Sequence, residues 1–265
     1  MLDKNQMNTA SDLLFQKWSA LERIDELPLA VRPHSRIEAY AIQSCLEKQS
    51  ASPLFGWKIA ATSVAGQKHI GVSGPMAGRI LSEKVLSPNS QISLNANLMK
   101  VAEVEFAFKM AKDLAPRATP YTLNEVIEAV ASLHPAIEIP DSRYHDFVSV
   151  GEYQLIADNA CAHLFMLGET TGFDWRSVDL AHYEVHVKHR HAQKDIALSG
   201  LGANVLGDPR LALTWLVNEL SSIGVTLAKG QVVTTGTCLT PVQVVAGDHI
   251  DADFGALGHI SASFT

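Results

Sequence analysis

The chain has 265 residues and a formal net charge of −7, and 47% of its residues are hydrophobic while 18% are charged. This composition is typical of a globular protein with a sizeable core and argues against intrinsic disorder. An acidic chain without a basic cluster or a long apolar run is not expected to bind nucleic acid or to bind or span a membrane. Its three cysteines lack paired spacing, which predicts neither a disulfide framework nor a zinc knuckle, and we expect a cytoplasmic protein.

Two amphipathic helices are predicted at the start of the chain. Apolar residues at helical spacing predict the first helix from Ser11 to about Glu26. The second opens at Ser35, where Glu38 three positions later gives a capping-box signature. Neither helix carries evident chemistry, so we assign residues 1–50 to a helical segment and residues 51–265 to a single main domain.

A lysine lies between a tryptophan and an isoleucine in the strand predicted from Leu54 to Ser63. This residue, Lys58, has apolar neighbours that exclude water. Because burial disfavours the ammonium form, we expect a lowered pKa that suits Lys58 to proton transfer. The alternative is a lysine on an edge strand whose ammonium group reaches water. Further on, Arg79 could face a substrate carboxylate or lie on the surface, and the sequence leaves both open.

Three carboxylates lie on two strand-like segments. Side chains two apart in a strand share a face, so Glu103 and Glu105 point together, away from the bulky apolar residues of Val101–Phe108. Glu138 lies between two isoleucines that face the other way. Three such carboxylates could form a hard oxygen site for Mg²⁺ or Mn²⁺ with open positions. The alternative is a solvated strand face whose glutamates pair with nearby lysines.

A helix is predicted between the two carboxylate segments. Thr122 and Glu125 form its capping box, and its apolar stripe ends near His134 and Pro135. A strand, helix, strand passage would then deliver all three carboxylates to one place if the strands are near neighbours.

The second half of the chain reads mostly as strands and turns. A strand entry is predicted from Asp158 to Leu167, and a cleanly alternating strand from Tyr183 to His189. For His186, His189 and His191, an exposed hairpin setting is favoured over a metal site. The turn that contains Gly236 and Thr237 offers backbone N–H groups and hydroxyls that could hold an anion, although an ordinary tight turn has the same sequence.

Taken in order, several short segments resemble the 2-oxopent-4-enoate (2-hydroxypenta-2,4-dienoate) hydratases and the related 4-oxalocrotonate decarboxylases of the fumarylacetoacetate hydrolase superfamily. The resemblance covers most of residues 35–265 and implies an α+β fold, a mixed β roll or sandwich with flanking and N-terminal helices. The matching segments are Gly56–Ile59, Glu103–Glu105, Ile137–Arg143, Asp158–Ala160, Gly202–Pro209, Thr235–Gly236 and Val245–Asp248.

The resemblance also implies a chemistry. Glu103, Glu105 and Glu138 would hold Mg²⁺ or Mn²⁺, and Lys58 would move a proton as a 2-hydroxydienoic acid ketonises. Water would then add to the conjugated double bond and give a 4-hydroxy-2-oxo acid, in a pathway that degrades aromatic compounds. A homo-oligomer built from dimers is expected. Candidate contacts to the substrate are Arg79, Ser142, Arg143, Gly236 and Thr237.

One departure from the family pattern keeps other reactions open. The hydratases usually carry an acid after the lysine, where this chain has Met76. The first alternative is a 4-oxalocrotonate-type decarboxylase, in which Arg79 or Arg143 would pair with a second carboxylate. An acylpyruvate-type C–C hydrolase is a weaker candidate, because no clear histidine–glutamate pair is present. The last alternative is a non-catalytic member that binds an oxo acid.

Overall fold

A computed structural model describes residues 1–88 and 90–265, and within these ranges it contains six α-helices and thirteen strands. The helices are α1 (Lys4–Ala20), α2 (Arg36–Ser44), α3 (Val64–His69), α4 (Leu123–Glu128), α5 (Glu152–Ala157) and α6 (Pro209–Ser222). The strands are β1 (Gly56–Ala60), β2 (Met76–Ile80), β3 (Val85–Leu86), β4 (Gln91–Ile92), β5 (Val101–Met110), β6 (Val130–Ile139), β7 (Leu164–Leu167), β8 (Glu184–His191), β9 (Lys194–Leu201), β10 (Val232–Thr237), β11 (Val242–Gln243), β12 (His249–Asp253) and β13 (His259–Phe264). None of the described helices has the length and apolar character that a membrane crossing needs.

The strands form two mixed sheets. The eight-stranded sheet has the order β2-β1-β10-β5-β6-β7-β3, with β11 paired to the start of β5, and the five-stranded sheet has the order β4-β13-β12-β8-β9. Parallel pairs (β1 with β10, β3 with β7, β4 with β13) occur beside antiparallel ones. The predicted α+β fold with mixed sheets and flanking helices is therefore confirmed.

Strand β5 is the centre of the larger sheet, because it pairs with β10, β11 and β6. Its apolar face is fully buried, as the alternation predicted: Val104, Phe106 and Phe108 are each 0% exposed. Phe106 meets Phe254 of the smaller sheet's β12–β13 connection edge to face, with ring centroids 5.1 Å apart. Burial of each such ring contributes about 2 kcal/mol, so this face anchors the two sheets to each other.

The first helix begins earlier than predicted. Asp3 accepts a hydrogen bond from the backbone of Gln6, and the Gln6 side chain accepts one from Asp3, so this capping box opens α1 at Lys4 and not at Ser11. The helix ends at Ala20, ahead of Leu21 in the left-handed conformation (φ 57°). The predicted helix start at Ser35 is confirmed. The boundary at residue 50 stays a prediction.

The helix between the carboxylate strands is shorter than predicted. Its capping box at Thr122 and Glu125 is confirmed, but α4 ends at Glu128. Strand β6 begins at Val130, and His134 and Pro135 lie inside it and not at a helix end. Pairing of residues 130–138 with β5, and burial of almost all of β6, override the helical spacing here.

Candidate metal and substrate site

Strands β5 and β6 bring three carboxylates together. The antiparallel register places Glu103 directly opposite Glu138, and Glu105 lies two residues further along the same face of β5. Carboxylate oxygens from all three residues lie within 4.8 Å of one another. The sequence predicted this convergence, and the short passage through α4 makes it possible. Their role as metal ligands stays a prediction.

Glu105 is held in place by the neighbouring strand. Its Oε2 accepts hydrogen bonds from the Thr234 hydroxyl and from the backbone N–H of Gly236, the latter at 2.8 Å. Gly236 has φ 99°, and a Cβ at this position would lie 2.1 Å from Thr62 Oγ1. Only glycine therefore fits, and the irregularity of β10 between Thr234 and Thr237 aims the amide at the carboxylate.

Three carboxylate oxygens in this cluster are buried and accept no hydrogen bond from the described residues. They are Oε1 of Glu105 and both oxygens of Glu138, of which Oε1 has the Lys58 ammonium 3.0 Å away as its ion-pair partner. A buried acceptor left unpaired costs roughly 1–3 kcal/mol, and more when it is charged. Oxygen-rich, anionic donor sets of this kind fit a hard divalent cation such as Mg²⁺ or Mn²⁺.

Lys58 is the positive group that faces the carboxylates. Its Nζ lies 3.0 Å from Glu138 Oε1 and donates to the carbonyl oxygen of Ala160 at 3.1 Å. Desolvation by itself lowers the pKa of Lys58, but the charges of Glu138 and Glu103 outweigh it and raise the pKa above its usual value. The predicted lowering is therefore wrong, because the neighbouring carboxylates together favour the ammonium form more than burial disfavours it.

Burial and the neighbouring charges also shift the pKa values of the three carboxyl groups. Burial is the largest cause and raises the pKa of Glu138 to about 7, although Lys58 opposes it. Burial, followed by the charges of Glu138 and Glu103, also raises the pKa of Glu105, and burial raises that of Glu103. Three carboxylates against one ammonium leave two uncompensated negative charges when all are ionised, and a divalent cation would neutralise both.

An unusual turn delivers the carbonyl that Lys58 binds. Asn159, Ala160 and Cys161 all have left-handed backbones, with φ of 56°, 50° and 60°. Each costs on the order of 1–2 kcal/mol for a residue with a Cβ. The Asn159 amide offsets this cost, since its Oδ1 accepts from Arg79 N at 2.6 Å and its Nδ2 donates to Arg79 O at 2.8 Å. The predicted strand entry at residue 158 is wrong, and β7 begins only at Leu164.

Ser142 and Arg143 stabilise this turn by binding Asp158, which immediately precedes it. The Ser142 hydroxyl donates to Asp158 Oδ2 at 2.8 Å, and the Arg143 guanidinium forms a buried ion pair with the same carboxylate. Arg143 also donates to the carbonyl oxygen of Ala162 at 2.9 Å. Both residues were predicted to contact substrate, but neither lines the described part of the cavity beside Lys58. The structure gives them contacts that hold the turn.

A cavity of about 1000 Å³ opens beside Lys58 and Glu103. Gly236 and Thr237 line it, as does the buried Met76. Most of the other described lining residues are apolar or small, and Lys58 is the only lysine or arginine among them. The cavity can therefore accept an acid at its charged end and an uncharged carbon chain beyond it.

Arg79 does not reach the described lining of this cavity. Its Nε donates to Glu47 Oε1 at 2.6 Å, and its guanidinium stacks 4.6 Å from the centre of the Trp57 ring. The side chain of Arg79 is 2% exposed. Arg79 lies opposite Trp57, and Trp57 and Lys58 are adjacent in β1, so Arg79 and its partners lie on the opposite face of the sheet from Lys58. The predicted contact between Arg79 and substrate is not supported by this position.

Comparison with known proteins places the chain among hydratases. It is 33% identical over 231 residues to a 2-keto-4-pentenoate hydratase of Burkholderia vietnamiensis, covering 86% of this chain and 85% of the relative. It is 32% identical over 222 residues to the 2-hydroxyhexa-2,4-dienoate hydratase of Comamonas testosteroni, covering 83% of this chain and 81% of that one. A search against family models found no match.

Two solved structures share its fold. The 4-oxalocrotonate decarboxylase of Pseudomonas putida G7, complexed with magnesium and adipate, superposes with a TM-score of 0.88 at 24% identity, over 100% of this chain and 99% of that one. The fumarylpyruvate hydrolase of Pseudomonas aeruginosa, in complex with Mn²⁺ and pyruvate, has a TM-score of 0.57 at 13% identity, over 79% and 88%. At these identities the likeness establishes the architecture.

Replacement of Glu105 tests the electrostatic balance of the site. Because burial and its two glutamate neighbours raise its pKa, ionised Glu105 destabilises the metal-free fold at neutral pH, and the destabilisation is relieved as pH falls through the raised pKa. We expect Glu105→Gln to raise the free energy of unfolding of the metal-free protein by on the order of 1–2 kcal/mol. We also expect it to lose the stabilisation that Mg²⁺ or Mn²⁺ gives the wild type.

Thermal and denaturant unfolding with and without Mn²⁺ measures both effects. Glu128→Gln, which removes an exposed carboxylate, is the control and should leave both quantities unchanged. A Glu105→Gln variant that Mn²⁺ stabilises as strongly as it stabilises the wild type would remove Glu105 from the ligand set.

Proposed function

The chain belongs to the 2-keto-4-pentenoate hydratase family, and we propose that it is a divalent-metal-dependent lyase that adds water to 2-hydroxypenta-2,4-dienoate-like acids. The product is a 4-hydroxy-2-oxo acid, formed during degradation of aromatic compounds. The observation that carries the proposal is the cluster of three carboxylates and Lys58, of which Lys58 and Glu103 line a cavity of about 1000 Å³. We also propose that the protein works in the cytoplasm as a homo-oligomer built from dimers.

The glutamates would hold the cation. Glu103, Glu105 and Glu138 supply only oxygen donors, and the unpaired oxygens of the last two support their assignment to Mg²⁺ or Mn²⁺. When bound, the cation supplies a Lewis acid that favours the enolate form of a 2-oxo acid. The hydrogen bonds from Thr234 and Gly236 fix Glu105, so that the set is organised before substrate arrives.

Lys58 moves the proton. Its Nζ is buried at the cavity wall, where Glu138 and the carbonyl oxygen of Ala160 fix its position. As the dienol ketonises, the Lys58 ammonium gives a proton to the end of the carbon chain and the enol proton restores the ammonium, which leaves a double bond conjugated with the 2-oxo group. Water then adds to the far carbon of that double bond. The left-handed turn at Asn159 acts through Ala160 to keep Nζ within reach.

The chain offers no acid at the position where the family resemblance leads us to expect one. Met76 is 1% exposed and lines the cavity, and Glu103 is the only carboxylate among the described lining residues. We therefore assign no general base to position 76. Addition of water relies on the electron-withdrawing 2-oxo group, and Met76 makes the wall apolar.

A decarboxylase acting on a dicarboxylic acid is the second candidate, favoured by the similarity in fold to 4-oxalocrotonate decarboxylase. Such a substrate needs a cation for its second carboxylate. Arg79 is bound to Glu47, and Arg143 is bound to Asp158, so neither is available at the described cavity wall. An unpaired carboxylate in an apolar cavity costs several kcal/mol, which supports a monocarboxylic acid with an uncharged tail.

A carbon–carbon hydrolase receives no support from the histidines near the site. His134 lies in β6 and bonds to the carbonyl oxygen of Gly168 and to Ser132, away from the described cavity lining. His69 does line the cavity, at the exposed end of α3. No glutamate bonds to either histidine among the described residues.

Turnover of two substrates tests the proposed reaction. The purified protein is incubated with 2-hydroxypenta-2,4-dienoate or with 2-oxohex-3-enedioate, each with Mg²⁺, with Mn²⁺ or with EDTA. We expect metal-dependent formation of 4-hydroxy-2-oxopentanoate from the first substrate, and NMR monitors this product. We expect kcat/KM for the dicarboxylic acid to be lower by more than ~100-fold, because its second carboxylate lacks a cation.

Each contrary outcome selects a different function. Carbon dioxide release from the dicarboxylic acid alone would make the protein a decarboxylase. Absence of turnover on both substrates, with Mn²⁺ still bound, would leave a non-catalytic protein that binds an oxo acid.

Replacement of Lys58 tests its part in proton transfer. We expect Lys58→Met to keep binding of Mn²⁺ and oxalate, because the carboxylates remain, and to slow exchange of substrate C–H protons with solvent deuterium by ~10²–10⁴-fold. Exchange is measured by NMR, and Lys109→Met, at an exposed position near the end of β5, is the matched control. Exchange at the wild-type rate in Lys58→Met would show that Lys58 moves no proton.

A further inference from the structure

A second cluster of metal-binding side chains lies in the five-stranded sheet. His189 and His191 are two residues apart in β8 and share a face, and Asp248 immediately precedes β12. Ligand atoms of the three residues all lie within 4.8 Å of one another. The sequence predicted an exposed hairpin for these histidines, and this is wrong for His189, which is 6% exposed.

Asp248 lies between the two imidazoles. Its Oδ2 is 2.9 Å from His189 Nε2, and its Oδ1 is 2.9 Å from His191 Nδ1. The backbone fixes the carboxylate independently, since Asp248 N donates to the Val245 carbonyl and Phe264 N donates to the Asp248 carbonyl. Val245 N donates to Oδ2 at 3.0 Å. The carboxylate therefore keeps its position whether or not the histidines bond to it.

The surroundings leave this face open to a cation. Lys188 and Arg190 point to the opposite face of β8, where both pair with Asp195. Among the described residues no lysine or arginine pairs with Asp248, whose side chain is 2% exposed. The side chain of His191 is 45% exposed and gives access from solvent.

The donor set differs in kind from that of the three glutamates. Two imidazole nitrogens and one carboxylate suit a borderline cation such as Zn²⁺, whereas an all-oxygen set suits Mg²⁺ or Mn²⁺. Each neutral imidazole can present a lone pair to the cation by carrying its proton on the other ring nitrogen, while Asp248 stays ionised. The two hydrogen bonds are thus replaced by two metal–nitrogen bonds without any change in the protein's net protonation.

We propose that His189, His191 and Asp248 form a second metal site, selective for a zinc-like divalent cation and separate from the carboxylate site. The ion joins the end of the β8–β9 hairpin to the turn before β12. With three protein ligands, at least one coordination position stays free for water or an exogenous ligand.

Zinc titration of a variant without the carboxylate site tests the proposal. In Glu103→Gln/Glu138→Gln protein stripped of metal, we expect a single equivalent of Zn²⁺ by calorimetry. We expect Co²⁺ at the same site to give the visible absorption of nitrogen-ligated cobalt. Adding His191→Gln or Asp248→Asn should weaken zinc binding by more than ~100-fold, since even changes outside the ligand set cost ~10–100-fold.

His186→Gln, which replaces an exposed histidine of the same strand, is the matched control and should bind zinc normally. His191 is half exposed, so its variant should fold, and circular dichroism checks this. The proposal is overturned if the Glu103→Gln/Glu138→Gln protein binds no zinc, or if His191→Gln and Asp248→Asn bind zinc as tightly as the control. Either result would leave a hydrogen-bonded bridge between strand and turn.

Discussion

The candidate site depends on three carboxylates of β5 and β6 that face one buried lysine. Glu103 and Glu138 are opposite each other in the β5–β6 register, and Lys58 approaches from β1. A shift of one residue in that register would turn the isoleucines beside Glu138 into the site and its carboxylate into the core. The burial that fixes the register is therefore also what brings the three carboxylates together, with two negative charges left uncompensated when all three are ionised.

Local strain and close packing are concentrated around this cluster. Three consecutive left-handed residues from Asn159 to Cys161 present a carbonyl to Lys58, and Gly236 brings an amide to Glu105 where a Cβ would clash. The buried pair of Arg143 and Asp158 stabilises the strained turn. Strain of this kind persists only where the surrounding contacts determine the backbone, and it is typical of functional sites.

The sequence predicted the features that local periodicity controls, namely strand faces and helix starts. Alternation placed Glu103 and Glu105 on one face, and Thr122 marked the start of α4. It did not predict contacts between residues far apart in the chain, such as Asp248 with His189, 59 positions away. The positions of Arg79 and Arg143 were missed for the same reason, because a guanidinium can bind an internal carboxylate as well as a substrate, and only the fold decides between them.

The most direct test of the cation site is the anomalous diffraction of crystals grown with Mn²⁺ and oxalate. We expect a manganese peak among Glu103, Glu105 and Glu138, with one oxygen of each carboxylate at roughly 2.0–2.3 Å and oxalate completing the coordination. The Lys58 ammonium should lie beside the oxalate. Manganese bound elsewhere, with the three carboxylates protonated or paired only with Lys58, would contradict the assignment of the three glutamates as ligands.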